Sequence, residues 1–301
     1  MPRAKPVLEH LRHAAVAYVV LLVGLILTLL AYYYVRQNVE ASVRNRFEET
    51  VGAAQNAIER RMNSYVDAML DARGLFYASR SVEREQWSGY ASGIDLENRY
   101  EGMQVLGYAK RVEPAERSAF DDQLSRASRE EGRPAPVLRP KGERGVYFPM
   151  IYLEPLDEVN RSMLGYDAYS EPVHRAAMDR ARDTGKPEST GKVYLLSEAP
   201  RGSKANFALK PGFVVYLPIY RKSEPADTVL QRQRALDGFV VGALDAERML
   251  RGIREGSFDP SIDFEIYDGE GLAPKNLLYD EDGILRALRA GEPREPAPSK
   301  Q

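Results

Sequence analysis

The stretch "LGYDAYSEPVHRAAMDRARDTGK", residues 164–186, decides how the rest of the chain is interpreted, because it joins an isolated acid to a well-marked helix. The pattern predicts a helix from about Glu171 to Thr184, with Gly185 in the position of a C-cap. Just before this helix, Asp167 stands alone among aromatic and small residues. The role of this carboxylate is the main question that the sequence raises.

Three roles are open for Asp167. An acid near a helix N-terminus gains about 0.3–1 kcal/mol from the helix dipole, so a structural role is one of them. Ser170, however, directly precedes Glu171 and Pro172 and is better placed to be the N-cap. We therefore expect Asp167 to be available for contact with a ligand, for a structural hydrogen bond or for catalysis.

Composition sets broad limits on function. The chain has 301 residues, 44% hydrophobic and 29% charged, so a buried core and about two domains are feasible. The net charge of -2 and the lack of a basic run with interleaved aromatics give no reason to expect nucleic acid as a partner. There are no cysteines and three histidines, which excludes disulfides, thiolate metal sites and cysteine nucleophiles and argues against a histidine-based metal site.

An apolar segment predicts a membrane span. "AAVAYVVLLVGLILTLLAYYYV", residues 14–35, carries no charge in 22 positions. As a helix it measures about 33 Å, against a hydrocarbon thickness of about 30 Å. A signal peptide is the alternative, but the run is long and ends in three tyrosines, which suit a membrane interface. The basic residues that precede it predict a cytoplasmic N-terminus at 1–13 and an outside location from residue 37 onward.

Residues 36–78 are predicted to form one long stalk helix. Its apolar residues recur at steps of three and four, which gives a single stripe at helical period: Val43, Phe47, Val51, Ala54, Ile58, Met62, Tyr65 and Met69. Such a stripe needs a partner along its length. Two readings remain open and can coexist: packing against the chain's own domain, and a parallel dimer.

From residue 79 onward, short helices and alternating strands predict an α+β fold with antiparallel sheets. Helices are predicted at 83–92, from Pro114 toward Gly132, at Glu171–Thr184 and around Ala246–Arg254. Strands are predicted at 103–112, 135–140, 146–155, 191–197, 212–221, 236–245 and 263–269. Residues 200–212 and 221–235 are predicted to be loops.

Several blocks, taken in order, resemble the CHASE domain, the extracellular sensor of many histidine kinases and diguanylate cyclases, including the plant cytokinin receptors. The blocks are "RGVYFPMIYLEP", "GYDAYSEPVHRAAMDRARDTGK", "GKVYLL" and "GFVVYLPIYR". The resemblance covers roughly residues 75–270 and implies two PAS-like modules behind the stalk. We expect a distal module at about 79–220, a proximal, incomplete module at about 221–270, and a linker or truncated end at 271–301.

The resemblance also implies a ligand site. Asp167 occupies the position of the family's ligand-contacting acid, and Ser189 and Thr190 correspond to the stretch that supplies backbone hydrogen bonds. Met150 and Tyr152 would line the pocket, although alternating aromatics in strands are usually core. Tyr216 stands where a threonine is expected, and its size favours a ligand that is smaller than, or different from, a cytokinin purine.

The sequence thus favours a membrane-anchored periplasmic input domain that binds a small ligand and signals through a dimeric stalk. Its single span would lie in the inner (plasma) membrane. We find no catalytic signature, metal site or cofactor motif, and no kinase phosphoacceptor histidine or "GGDEF"-type loop. We therefore expect the chain to be a fragment whose output domain, a histidine kinase or diguanylate cyclase, lies elsewhere. The alternative is a membrane-anchored protein–protein interaction module without a small ligand.

Overall fold

The computed structural model describes residues 5–130, 137–198, 207–257 and 264–280. Its helices are numbered in chain order. They are α1 (Lys5–Ala78), α2 (Arg84–Gly93), α3 (Leu96–Arg99), α4 (Arg117–Glu130), α5 (Glu158–Met163), α6 (Pro172–Thr184), α7 (Val229–Ala235) and α8 (Ala246–Ser257).

The strands are antiparallel to their neighbours. They are β1 (Met103–Lys110), β2 (Met150–Glu154), β3 (Glu188–Ser189), β4 (Val193–Glu198), β5 (Phe207–Tyr220), β6 (Leu236–Asp245), β7 (Glu265–Tyr267) and β8 (Leu277–Asp280). One sheet has the order β2-β1-β6-β5-β3, with β4 also paired to β5, and β7 and β8 form a separate two-stranded sheet. The α+β class with antiparallel sheets is therefore confirmed.

The chain divides into two units, Met1–Gln55 and Asn56–Gln301. In the first unit, the side chains from Tyr18 to Val39 are exposed, including large apolar ones such as Leu21 and Leu25. Among the described residues, one helix near the N-terminus is long and apolar enough to cross a membrane. This agrees with the predicted span at 14–35 in length and composition.

In the second unit, the large sheet is covered on both faces. The end of α1 and helix α2 cover one face, where Tyr65, Met69 and Trp87 pack against sheet residues such as Leu217 and Val240. Helix α6 covers the other face with Ala177, Met178 and Ala181. Successive residues of β5 alternate between these two cores, which explains why this strand is a nearly continuous apolar run in the sequence.

The apolar stripe of α1 has two parts. Tyr65 and Met69 are fully buried in the chain's own core. Val43 and Phe47 are 64% and 55% exposed in the single chain. Packing against the chain's own domain, the first of the two readings, is therefore confirmed for the part of the stripe at Tyr65 and Met69. Dimerisation stays a prediction.

Several predicted elements were wrong. The strand at 135–140 is absent from its described part, residues 137–140, where only a bridge between Arg139 and Tyr166 forms. Pro140 has no N–H to extend that pairing. Residues 207–211, predicted as loop, begin β5 and pair with β4.

The predicted loop at 221–235 contains α7, and the sequence does hold its start signal. Thr228 accepts from the Gln231 backbone N–H at 3.3 Å, and the Gln231 side chain accepts from the Thr228 N–H at 2.9 Å. This reciprocal pair is a capping box. Likewise, β8 lies inside the 271–301 stretch predicted as linker. β5 and β6, on either side of the predicted 220/221 module boundary, pair with each other, and the two PAS-like modules stay a prediction.

Candidate functional site

Asp167 lies between β2 and α6, and its side chain is fully buried. Its Oδ1 accepts from the backbone N–H of Phe148 at 3.0 Å and of Tyr169 at 3.2 Å. Its Oδ2 forms an ion pair with the Nε of Arg144 at 3.1 Å. The carboxylate therefore joins the loop before β2 to the short turn that precedes α6.

The expectation that Ser170 would cap α6 and leave Asp167 available was wrong. The residue before α6 is Glu171, which makes no side-chain cap bond, and the Ser170 hydroxyl donates instead to the Asp167 carbonyl at 2.7 Å. The Asp167 side chain is itself the cap of a short 3₁₀ turn, Ala168–Ser170. Three partners already engage it, and any ligand would have to replace one of them.

Burial raises the pKa of Asp167 above its ordinary value of 3.8, because the charged form loses its hydration. The Phe148 N–H and the Arg144 guanidinium act in the opposite direction. The rise of the pKa means that desolvation outweighs these stabilising contacts. A buried carboxylate of this kind gains from every additional donor that reaches it.

A second polar pair lies next to Asp167 on the same core. The hydroxyl of Tyr216, a fully buried residue, lies 2.8 Å from His174 Nδ1, and the two rings meet edge to face. Burial lowers the pKa of His174 and raises that of Tyr216, and the charges of Glu171 and Asp167 raise the latter further. We call Asp167, Glu171, His174 and Tyr216 the α6 cluster.

Met150 and Tyr152, which the sequence placed in one pocket, lie on opposite faces of the sheet. In the pairing of β1 with β2, Tyr108 lies opposite Tyr152 and Ala109 opposite Met150, so Ile151 is the extra residue of a β-bulge. Met150 therefore packs in the core between the sheet and α6, the α6 core, and Tyr152 packs in the core between the sheet and the end of α1, the α1 core. Of these two residues, only Met150 shares a core with the α6 cluster.

Thr190 binds the backbone of β5, and Ser189 binds an arginine side chain of α6. Thr190 is buried, and its hydroxyl accepts from the Val214 N–H at 3.0 Å while its own N–H donates to the Val214 carbonyl at 2.8 Å. Ser189 is exposed, and its carbonyl accepts from Arg180 at 2.8 Å. Within the described residues, no hydrogen bond or ion pair joins either of them to Asp167.

The interior beneath Asp167 is filled. Phe148 and Tyr216 both lie against Phe239, with ring centroids 5.2 and 5.9 Å apart. A depression of about 530 Å³ lies outside, on the far side of Arg144, and Arg117, Arg144 and Tyr147 line it. Arg144 therefore separates this depression from the buried carboxylate.

In the part of the chain that the structure describes, no group of three or more histidines, aspartates or glutamates could hold a metal ion. The α6 cluster holds acids, a histidine and a tyrosine. Its acids are bound to donors that the fold supplies, and its histidine is paired with a buried hydroxyl.

A family model described as "CHASE domain" matches residues 80–279. The chain belongs to the CHASE domain family. CHASE is an extracellular sensor domain, and domains of this family bind small ligands. The match confirms the resemblance seen in the sequence blocks around Asp167 and supports a signal-sensing input role for this CHASE domain.

A curated relative points the same way. The hybrid signal transduction histidine kinase A of Dictyostelium discoideum is 25% identical to the chain over 199 residues. The alignment covers 64% of this chain and 9% of the relative, so the chain spans less than a tenth of that protein's length. The kinase activity named for this relative is therefore not established for the chain described here.

The predicted site residues did not include Glu171, His174 or Arg144. His174 is partly buried and lies three, four and seven positions before Ala177, Met178 and Ala181, the buried stripe of α6. That spacing could have revealed its inward face. Arg144 carried no such signal, because it lies in a loop 23 positions from Asp167.

Proposed function

We propose that this chain is the sensory input region of a membrane-anchored receptor, with one span in the inner (plasma) membrane and its CHASE domain in the periplasm. The observation that carries the proposal is the CHASE match over residues 80–279, which begins after a helix apolar enough to cross a membrane. The histidine-kinase relative supports an output by phosphotransfer. A diguanylate cyclase is the other output that the family's range supports.

We infer that a small ligand binds at the α6 cluster by replacing Arg144 on Asp167. The carboxylate is desolvated, and Arg144 is the one of its three partners that is a side chain reaching in from a loop. A ligand with a planar cationic or amide-like donor group can make the same contact. Tyr216 and Phe239 fill the interior, which favours a ligand that lies at the surface near Arg144.

Benzamidine is a suitable probe, because its amidinium is planar and cationic like a guanidinium. The full chain in detergent micelles is heated with and without benzamidine, and the unfolding midpoint is recorded for wild type, Arg144→Ala, Asp167→Asn and Arg144→Ala with Asp167→Asn. We expect the largest upward shift for Arg144→Ala, because the carboxylate is then open to the probe. Asp167→Asn should abolish the shift in both backgrounds.

Arg161→Ala is the matched control, since Arg161 is an exposed arginine that donates to the Leu156 carbonyl. It should respond like wild type. Equal shifts for the Arg144→Ala variant with and without Asp167→Asn would refute the role of Asp167. Benzoate, which has the same ring and the opposite charge, should give no shift in Arg144→Ala.

Dimerisation through the stalk is the proposed route of the signal. The part of the α1 stripe nearer the N-terminus supports dimerisation, because Val43, Phe47 and Val51 recur at four-residue spacing and are 64%, 55% and 38% exposed. Phe47→Cys should give a disulfide-linked dimer in native membranes. Glu49→Cys, on the opposite face of the same part of the helix, is the control and should cross-link much less.

The size of the native protein tests the receptor proposal independently. An antibody against residues 37–301 should detect a band in membranes far above the 33.9 kDa of this chain. A band at 33.9 kDa would contradict the presence of an output domain in the same polypeptide.

One observation favours the second candidate, a protein-docking module: the core beneath Asp167 is filled by aromatic side chains. The benzamidine series separates the two. A docking module would give no shift in wild type, where Arg144 stays on the carboxylate, and would respond only in Arg144→Ala, where the carboxylate has been opened.

A further inference from the structure

A cleft of about 1010 Å³ opens on the α1 side of the sheet, the face opposite the α6 cluster. Its walls are the end of α1, the segment 79–85, helix α4 and the residues that follow β5. We call it the α1-end cleft. Its volume is at the upper end of the range of roughly 300–1,000 Å³ that is usual for small-molecule sites.

Aromatic rings form the floor of the α1-end cleft. Phe76 lies against Tyr108 with ring centroids 4.4 Å apart, and Tyr108 lies 6.0 Å from Tyr152. Tyr108 is buried, while Phe76 and Tyr152 are partly exposed to the cleft. The Tyr152 hydroxyl donates to the Val82 carbonyl at 2.8 Å, which fixes its ring in place. A planar ring can lie against this pre-formed surface at little cost in side-chain ordering.

Basic side chains outnumber acidic ones around this floor. The basic residues of the lining are Arg80, Arg84, Lys110, Arg221 and Lys222, and the acidic ones are Glu83, Glu85 and Asp237. Asp237 already accepts from the Tyr108 hydroxyl at 3.2 Å. The charge of the lining therefore favours an anion.

Lys110 is the cation that is best placed to bind that anion. It is the last residue of β1, two positions after Tyr108, and it is partly buried. Within the described residues, no hydrogen bond or ion pair engages its ammonium, whereas Lys222 donates to the Ser79 carbonyl at 3.1 Å and Arg221 pairs with Glu224 at 2.7 Å. An ammonium at the edge of an aromatic floor can bind a carboxylate whose ring covers that floor.

We propose that the α1-end cleft binds a planar aromatic compound that carries an acidic group. The ring would lie on Phe76 and Tyr152, and the acid would accept from Lys110. The site is separate from the α6 cluster and does not depend on the ligand proposed there. Because Phe76 belongs to the last turn of α1, occupancy of the cleft would act directly on the helix that leads to the membrane.

The probe is 2-naphthoate, and 2-naphthamide is its neutral match. The full chain in detergent micelles is titrated calorimetrically with each compound, and micelles alone are titrated as the blank. We expect saturable binding of 2-naphthoate and at least tenfold weaker binding of 2-naphthamide. Lys110→Met, which keeps an unbranched side chain without the charge, should weaken 2-naphthoate by about tenfold, in line with a charge-assisted hydrogen bond.

Lys141→Met is the matched control, because Lys141 is an exposed lysine outside the cleft. It should bind 2-naphthoate like wild type, and so should Asp167→Asn. Equal affinity for naphthoate and naphthamide, or an unchanged affinity in Lys110→Met, would overturn the proposal. Loss of naphthoate binding in Asp167→Asn would overturn the separation of the two sites.

Discussion

Replacing Asp167 by alanine and by asparagine separates its role as an acceptor from its role as a charge. Both backbone donors, the N–H groups of Phe148 and Tyr169, use Oδ1, and Arg144 uses Oδ2. Asparagine can keep its oxygen on both N–H groups and loses the charge. Alanine removes the acceptor altogether.

The magnitudes follow from burial. A buried donor left without a partner costs about 1–3 kcal/mol, and the bond to the Phe148 N–H is fully buried. The bond to the Tyr169 N–H is partly buried and adds less. We expect Asp167→Ala to lower the free energy of unfolding by about 2–4 kcal/mol and Asp167→Asn to lower it by less than about 1.5 kcal/mol.

The pH dependence of stability gives a second test of the role of Asp167. Since burial raises the pKa of Asp167, the folded state holds this proton at a pH where the unfolded state has released it. Stability contributed by the protonated form is therefore lost as the pH rises from about 3.8 through the raised pKa. The asparagine variant lacks this loss, so its stability relative to wild type should increase over that window.

The assay is denaturant unfolding of the full chain in detergent micelles, followed by the circular dichroism of the CHASE domain between pH 3.5 and 7.5. If asparagine cost as much as alanine at neutral pH, the ion pair with Arg144 would outweigh the two backbone bonds, and our reasoning would be wrong. An alanine variant within about 0.5 kcal/mol of wild type would refute the described hydrogen bonding itself.

Substitutions at four other positions test the fold by the same unfolding assay. Gly102→Ala should destabilise by about 2–4 kcal/mol, because Gly102 has φ +97° and a Cβ there would lie 2.7 Å from the backbone of α8. Gly89→Ala, in open space on α2, should instead stabilise by up to about 1 kcal/mol. Thr228→Ala should cost about 1 kcal/mol through loss of the α7 capping box, and Thr228→Ser should restore most of it. Burial lowers the pKa of His174, so this residue holds fewer protons in the folded state, and stability is lost as the pH falls below about 6.5. His174→Gln should flatten that part of the stability profile, and an unchanged slope would contradict the partly buried contact with Tyr216.

The sequence by itself determined the local elements and the family. The apolar run at 14–35, the stripe of α1, the helix that ends at Gly185 and the strand at 236–245 all lie where their patterns predict. These features depend on periodicity and on residues close together in the chain, so they can be read without tertiary structure. The order of the blocks around Asp167 was likewise sufficient to indicate a CHASE domain.

Only the tertiary structure decided what surrounds Asp167. The partner Arg144 is 23 positions away, and Tyr216 is 42 positions from His174, so no local pattern joins them. One extra residue, Ile151, shifts the alternation of β2, and it sends Tyr152 to the α1 core while Met150 stays in the α6 core. Because strand side chains alternate with a period of two, a single bulge is enough to separate two residues that the sequence assigns to one pocket.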